Sequence, residues 1–109
     1  MLVQRRDALK AEVNARTNEF EAGVGYLFLL LDASRRLLEA ESEMATKQAD
    51  RIKAHKSHLD AMNRIAKQVK KGFEAGRTRQ ADHYQAVAAR LDAEIGWLRA
   101  GGKAKKPAK

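Results

Sequence analysis

The residues whose spacing could carry chemistry in this chain are histidines, carboxylates and cations; with no cysteine, disulfides and thiolate metal sites are excluded. Its histidines are His55, His58 and His83. His55 and His58 stand i, i+3 on one helical face and could share a metal ion. No carboxylate completes the Glu-x-x-His spacing that helical carboxylate–metal sites use, so we read them as hydrogen-bonded interfacial histidines and expect neither metal nor cofactor. Glu39, Glu41 and Glu43 form an acidic patch, with Glu39 and Glu43 one turn apart. On a solvated helix such carboxylates pair with Arg35, Arg36 or Lys47, and without a pocket a carboxylate pair does no acid–base work. No glycine-rich loop follows a strand, so no phosphate cradle is encoded. The expectation is a protein that is not an enzyme.

Cations are the more informative residues. The chain carries a formal charge of +8. Residues 47–79 hold ten Lys/Arg against three acids. Lys53, Lys56, Lys67, Lys70, Lys71 and Arg79 are candidate anion-binding residues along this stretch, joined by Arg51, Arg64 and Arg77. A stripe of this kind binds phosphates without sequence preference. Asp50, Asp60 and Glu74 interrupt it, no aromatic stacking platform is legible along it, and a long helix also needs solubilising lysines. A basic nucleic-acid-binding coiled coil is therefore the alternative reading.

The elements that position these residues are helical. With 109 residues and Pro107 as the only proline, the chain makes one domain without internal breakers. The longest apolar run, Tyr26 to Leu31, is too short to span a bilayer. Residues 1–22 read as a weakly amphipathic helix with Leu2, Leu9, Val13 and Phe20 on one face. From Leu31 a 3/4 spacing runs in phase to Phe73, through Leu38, Ile52, Leu59, Met62 and Val69. That register predicts one long helix over about 26–72, roughly 70 Å at 1.5 Å per residue. The rival is a reversal at Ala45-Thr46-Lys47-Gln48 with Thr46 as N-cap, which makes four helices. A last helix over 79–99, with Thr78 as its N-cap, shows a clean seam of Ala81, Tyr84, Ala88, Leu91, Ile95 and Leu98, and Trp97 lies off it. Gly101-Gly102 ends that helix, and a lysine-rich tail over 101–109 is expected to be disordered.

One motif recurs. Phe20-Glu-Ala-Gly23 returns as Phe73-Glu-Ala-Gly76, 53 positions on (20 to 73), and Arg36-Leu-Leu-Glu-Ala-Glu41 returns as Ala89-Arg-Leu-Asp-Ala-Glu94. Each copy reads as a helix end, a left-handed glycine cap and a new helix start, so Gly23 and Gly76 are expected at positive φ.

Phe73-Glu-Ala-Gly-Arg-Thr-Arg-Gln-Ala-Asp82 with Ala86, and more loosely Phe20 to Glu41 with Leu29 at the place of Asp82, resembles the helical hairpin of TolC-like outer-membrane efflux proteins. There the motif forms the periplasmic tip that meets the adaptor protein of a tripartite pump. The resemblance implies tip, partner-binding roles for Phe20, Gly23, Phe73, Gly76, Arg77 and Asp82. It also implies a cell-envelope or periplasmic setting. It covers about residues 16–99, and no stretch alternates like barrel strands, so it implies the family's helices without its channel. Met1-Leu-Val before Arg5-Arg6-Asp7 lacks the pattern of a signal peptide, which makes a cytoplasmic setting the alternative.

The combined expectation is an all-α elongated assembly of antiparallel helical hairpins, over residues 1–100, with three helices and an up-down four-helix bundle as the alternative. It acts as a scaffold through helix–helix contact. A structure two helices thick would leave Tyr26–Leu31, Leu37, Leu38, Met62, Ile65 and Val69 wet. A homo-oligomer is expected on that face, antiparallel, with Glu39–Glu43 near Lys67–Lys71.

Overall fold

The computed structural model describes residues 1–103, and every regular element among them is a helix. They are α1 (Leu2–Glu21), α2 (Leu27–Met44), α3 (Gln48–Glu74) and α4 (Gln80–Ala100). The expected tail lies, from residue 104 on, outside the described residues. α1 packs on α2, α2 on α3 and α3 on α4. The chain runs up, down, up and down through a slab of 45 × 44 × 17 Å. The helices pack in chain order, which puts α1 and α4 at the edges of this slab.

The predicted 70 Å helix is broken. Ala45 (ψ 119°) and Lys47 (ψ 150°) are extended, and α3 turns back along α2. Thr46 does not cap α3. Lys47 holds the N-cap position and makes no side-chain cap bond. The energetic reason is visible in the seam, whose middle positions are Ser34, Glu41 and Gln48. A straight helix would present polar groups there and leave its two apolar halves apart. Folding back places Leu27 and Leu30 of α2 in one core with Leu59, Met62, Ile65 and Val69 of α3. Burying such a side chain contributes roughly 1.5–3 kcal/mol, which outweighs the few backbone bonds lost at the turn. Arg51 also donates to the carbonyl of Ala45 at 3.4 Å, covering one of the broken ends.

The same fold-back removes the surface expected to pair two chains, because Leu27, Leu30, Met62, Ile65 and Val69 are buried within one chain. Glu39 and Glu43 are paired in the same chain as well, with Arg35 and Arg5. Tyr26 and Phe28 differ from their neighbours: they are 73% and 60% exposed. The run Tyr26–Leu31 is thus half core and half surface.

α4 also departs from its sequence pattern. Its core-facing residues are small apart from Trp97: Ala86 and Ala93 are buried, and Ala89 and Trp97 pack against the core. The clean seam, Ala81 to Leu98, faces outward. Thr78 is not the N-cap of this helix; Arg79 is, without a side-chain bond. Gly101 ends it in the left-handed region, at φ 114°.

α1 contributes no fully buried residue. It is fastened by ions: Arg36 of α2 donates to both carboxylate oxygens of Glu12, at 2.9 and 2.8 Å, and to Asp32 at 3.0 Å. This fork holds the Glu12 carboxyl below, and the Arg36 guanidinium above, its ordinary pKa range, while Asp32 is held low by hydrogen bonds first from Arg35 and then from Arg36.

Candidate functional site

The repeated motif builds the same turn twice. Gly23 has φ 77° and Gly76 has φ 74°, as their place after a helix end requires. Each glycine N–H donates to the phenylalanine three residues back, Gly23 to Phe20 at 3.1 Å and Gly76 to Phe73 at 3.0 Å. The next two amides share one acceptor. Val24 and Gly25 donate to the carbonyl of Glu19, and Arg77 and Thr78 to that of Gly72. The offset of 53 thus holds bond for bond (19 to 72, 20 to 73, 24 to 77, 25 to 78). It extends to the next helix starts, Leu27 and Gln80.

The up-down course brings both turns to one end of the slab, around an open cleft of about 840 Å³. Gly23, Gly25, Tyr26 and Phe28 line it from the first hairpin, and Lys71, Gly72, Arg77, Thr78, Arg79 and Asp82 from the second. Its rim therefore combines two exposed aromatic rings with three cations. Arg79 donates to Asp82 at 3.3 and 3.4 Å, so this pair is internally balanced. Lys71 and Arg77 have no ion-pair partner among the described residues.

Of the six tip residues implied by resemblance, Phe20, Gly23, Arg77 and Asp82 line this cleft, and Gly76 and Phe73 stand in the second turn beside it. Both phenylalanines also pack: Phe20 lies half-buried on the core, and Phe73 stacks on His83 of α4 at 4.8 Å, nearly parallel. Tyr26 and Phe28 are expected, with the whole run Tyr26–Leu31, on a wet face covered by a second copy; the direction of α2 instead buries Leu27 and Leu30 and leaves Tyr26 and Phe28 exposed at the tip cleft.

The anion-binding candidates are dispersed. Lys56 pairs with Asp60 at 3.3 Å and lies over the Trp97 ring at 5.1 Å. Lys53 lies beside Arg6, Glu41 and Asp50 at the opposite end of the slab. Lys67 and Lys70 are exposed on α3, and only Lys71 and Arg79 reach the tip cleft.

Among the described residues, no three His, Cys, Asp or Glu side chains come together to hold a metal ion. His58 lines a groove with Asp32 and Arg35 of α2 and Asp92 of α4. Burial first, and then the neighbouring His55, push its pKa down to about 4. No hydrogen bond to it is formed among the described residues, so it is an interfacial histidine held neutral by desolvation. No helix is long and apolar enough to cross a membrane, a statement confined to the described residues.

The chain matches no protein-family model, no curated protein and no solved structure.

Proposed function

We propose that this protein is a non-enzymatic helical interaction module that binds its partner through the end where its two glycine turns meet. The observation that supports this is the pairing itself: two turns alike bond for bond, set side by side around one open cleft. An exposed turn needs no such repetition for stability, whereas a docking end gains two equivalent contact points. In its finer form the reading keeps the resemblance to the hairpin tips of TolC-like efflux proteins, with an envelope adaptor hairpin as partner and Gly23, Gly76, Arg77 and Asp82 at the contact. The test is a calorimetric titration of the chain with the helical hairpin of a tripartite-pump adaptor. Saturable binding that is lost in Arg77→Glu supports the reading. No heat at either low or physiological salt removes the adaptor.

A second reading rests on a different observation. Tyr26 and Phe28 stand exposed in the cleft that also holds Lys71, Arg77 and Arg79. This supplies the stacking surface that the basic stripe lacks by itself, and such a combination suits a single-stranded polyanion. A gel-shift titration with an oligonucleotide, repeated for Tyr26→Ala and Lys71→Glu, separates the two. Salt-sensitive binding weakened by both variants favours nucleic acid; no retardation at low salt removes it.

A further inference from the structure

α4 has two apolar faces, and the fold uses one of them. Ala86, Ala89, Ala93 and Trp97 turn toward α3, and a Cβ on Gly96 would stand 3.3 Å from His55. Diametrically opposite run Ala81, Tyr84, Ala88, Leu91, Ile95 and Leu98, spaced 3, 4, 3, 4, 3 and all exposed. The four large ones are between 43% and 60% exposed. This spacing is the seam of a coiled coil, with 81, 88 and 95 at a and 84, 91 and 98 at d. α4 is an edge helix that packs on α3, and among the described residues nothing covers that seam.

We propose that the α4 seam pairs with the same seam of a second copy of this chain, parallel and in register, to form a dimer. This is independent of the tip-binding reading. Three features of α4 select that occupant and orientation. At the C-terminal end of the seam Ile95 at a stands between Leu91 and Leu98 at d, the combination that favours two parallel strands, while Ala81 and Ala88 fill the other a positions. The flanking positions are complementary only in the parallel arrangement. There Glu94 at g faces Arg99 at e of the other copy, twice by symmetry, Gln80 faces Gln85, and Val87 faces Asp92 without a charge partner. An antiparallel pairing centred on the same seam sets Glu94 against Val87 and Asp92 against Gln85, and makes no ion pair. Arg99 has no ion-pair partner among the described residues, and Arg90 reaches Glu94 only at 3.9 Å, so both are available.

The basic α3 helices do not oppose this pairing. In the order α3, α4, α4 and α3, the two basic helices are separated by three helix spacings of about 8–10 Å each. That is several times the Debye length of about 8 Å at physiological ionic strength, so the repulsion is screened. The parallel twofold also sets both tip clefts at the same end, giving four glycine turns on one surface.

Sedimentation equilibrium of the full chain at micromolar concentration is the test. We expect twice 12.2 kDa, falling to 12.2 kDa for Leu91→Glu with unchanged helical circular dichroism, since Leu91 is exposed in the single chain. Orientation is read by a charge swap and a cross-link. Glu94→Arg and Arg99→Glu should each weaken association at least several-fold, and the double variant should restore it. Leu98→Cys, the only thiol in the chain, should form a disulfide between copies under mild oxidation. A 12.2 kDa species throughout, or a dimer unaffected by Leu91→Glu, overturns the proposal. Association without the Leu98 cross-link and without rescue by the swap overturns the parallel register.

Discussion

Thr78 stands directly over Gly72: a methyl group added at Gly72 would collide with the Thr78 hydroxyl and come within 3.3 Å of its Cβ. In the first turn the equivalent pair is Glu19 and Gly25, with the side chain on the other partner. There a Cβ on Gly25 would lie 2.8 Å from the Cβ of Glu19. The two turns thus share one rule. The residue that accepts the paired amides and the residue six positions later approach so closely that one of them must be glycine.

Glycine-to-alanine exchange at position 72 tests this rule through its sign. In an open helix, alanine is favoured by roughly 0.5–1 kcal/mol. Against Thr78 we expect Gly72→Ala to destabilise by about 1 kcal/mol, since overpacking outweighs propensity. In a Thr78→Gly background the same change should stabilise. Urea titrations of the four chains complete the cycle, and the same sign in both backgrounds would rule out the collision.

Gly23 and Gly76 are constrained for another reason. A Cβ at either would meet nothing within 4 Å, so the demand there is positive φ alone. Valine at either position should cost on the order of 1–2 kcal/mol, while asparagine, which tolerates the left-handed region, should cost much less. Equal losses for valine and asparagine in thermal melts would show that space, not backbone conformation, is limiting.

Acidification should expose His58. Its folded pKa of about 4 lies below the ordinary value of 6.5, so the unfolded chain binds the proton first. Stability is unaffected above about pH 6.5, declines as pH falls toward 4, and levels off below that as far as this residue is concerned. At about 1.4 kcal/mol per pH unit the loss reaches at most roughly 3 kcal/mol. Denaturant midpoints between pH 4 and 7 should flatten in His58→Gln. Glu12, whose folded pKa is depressed by Arg36, and Asp32, depressed by Arg35 and then Arg36, lose their contribution at lower pH, as they become protonated.

α1 should be the first helix to open. It buries no residue completely, and the Arg36 fork to Glu12 is its main polar tie to α2. Amide hydrogen exchange should be fastest in α1 and slowest around Leu30, Met62 and Val69, and Arg36→Gln should accelerate exchange in α1 alone. Uniform protection across all four helices would contradict this.

The local signals were sufficient for the turns. Glycine after a helix end admits a conformation that other residues resist, so Gly23, Gly76 and Gly101 determine where α1, α3 and α4 stop. Periodicity had no such authority over the middle of the chain. A 3/4 register states which residues would share a face if the helix continued. It does not weigh that helix against a reversal, and the reversal at Ala45–Lys47 depends on Leu30, Met62 and Val69 finding one another across distant sequence. The same limit applied to α4, where Leu91 and Ile95 mark the strongest seam while Ala86 and Ala93 make the contact with α3. Small residues let two helix axes approach closely, and hydropathy alone cannot rank that gain. The tip cleft was likewise invisible, because residues 20–28 and 68–85 become neighbours only after α3 has turned back along α2 and brought the two glycine turns to one end.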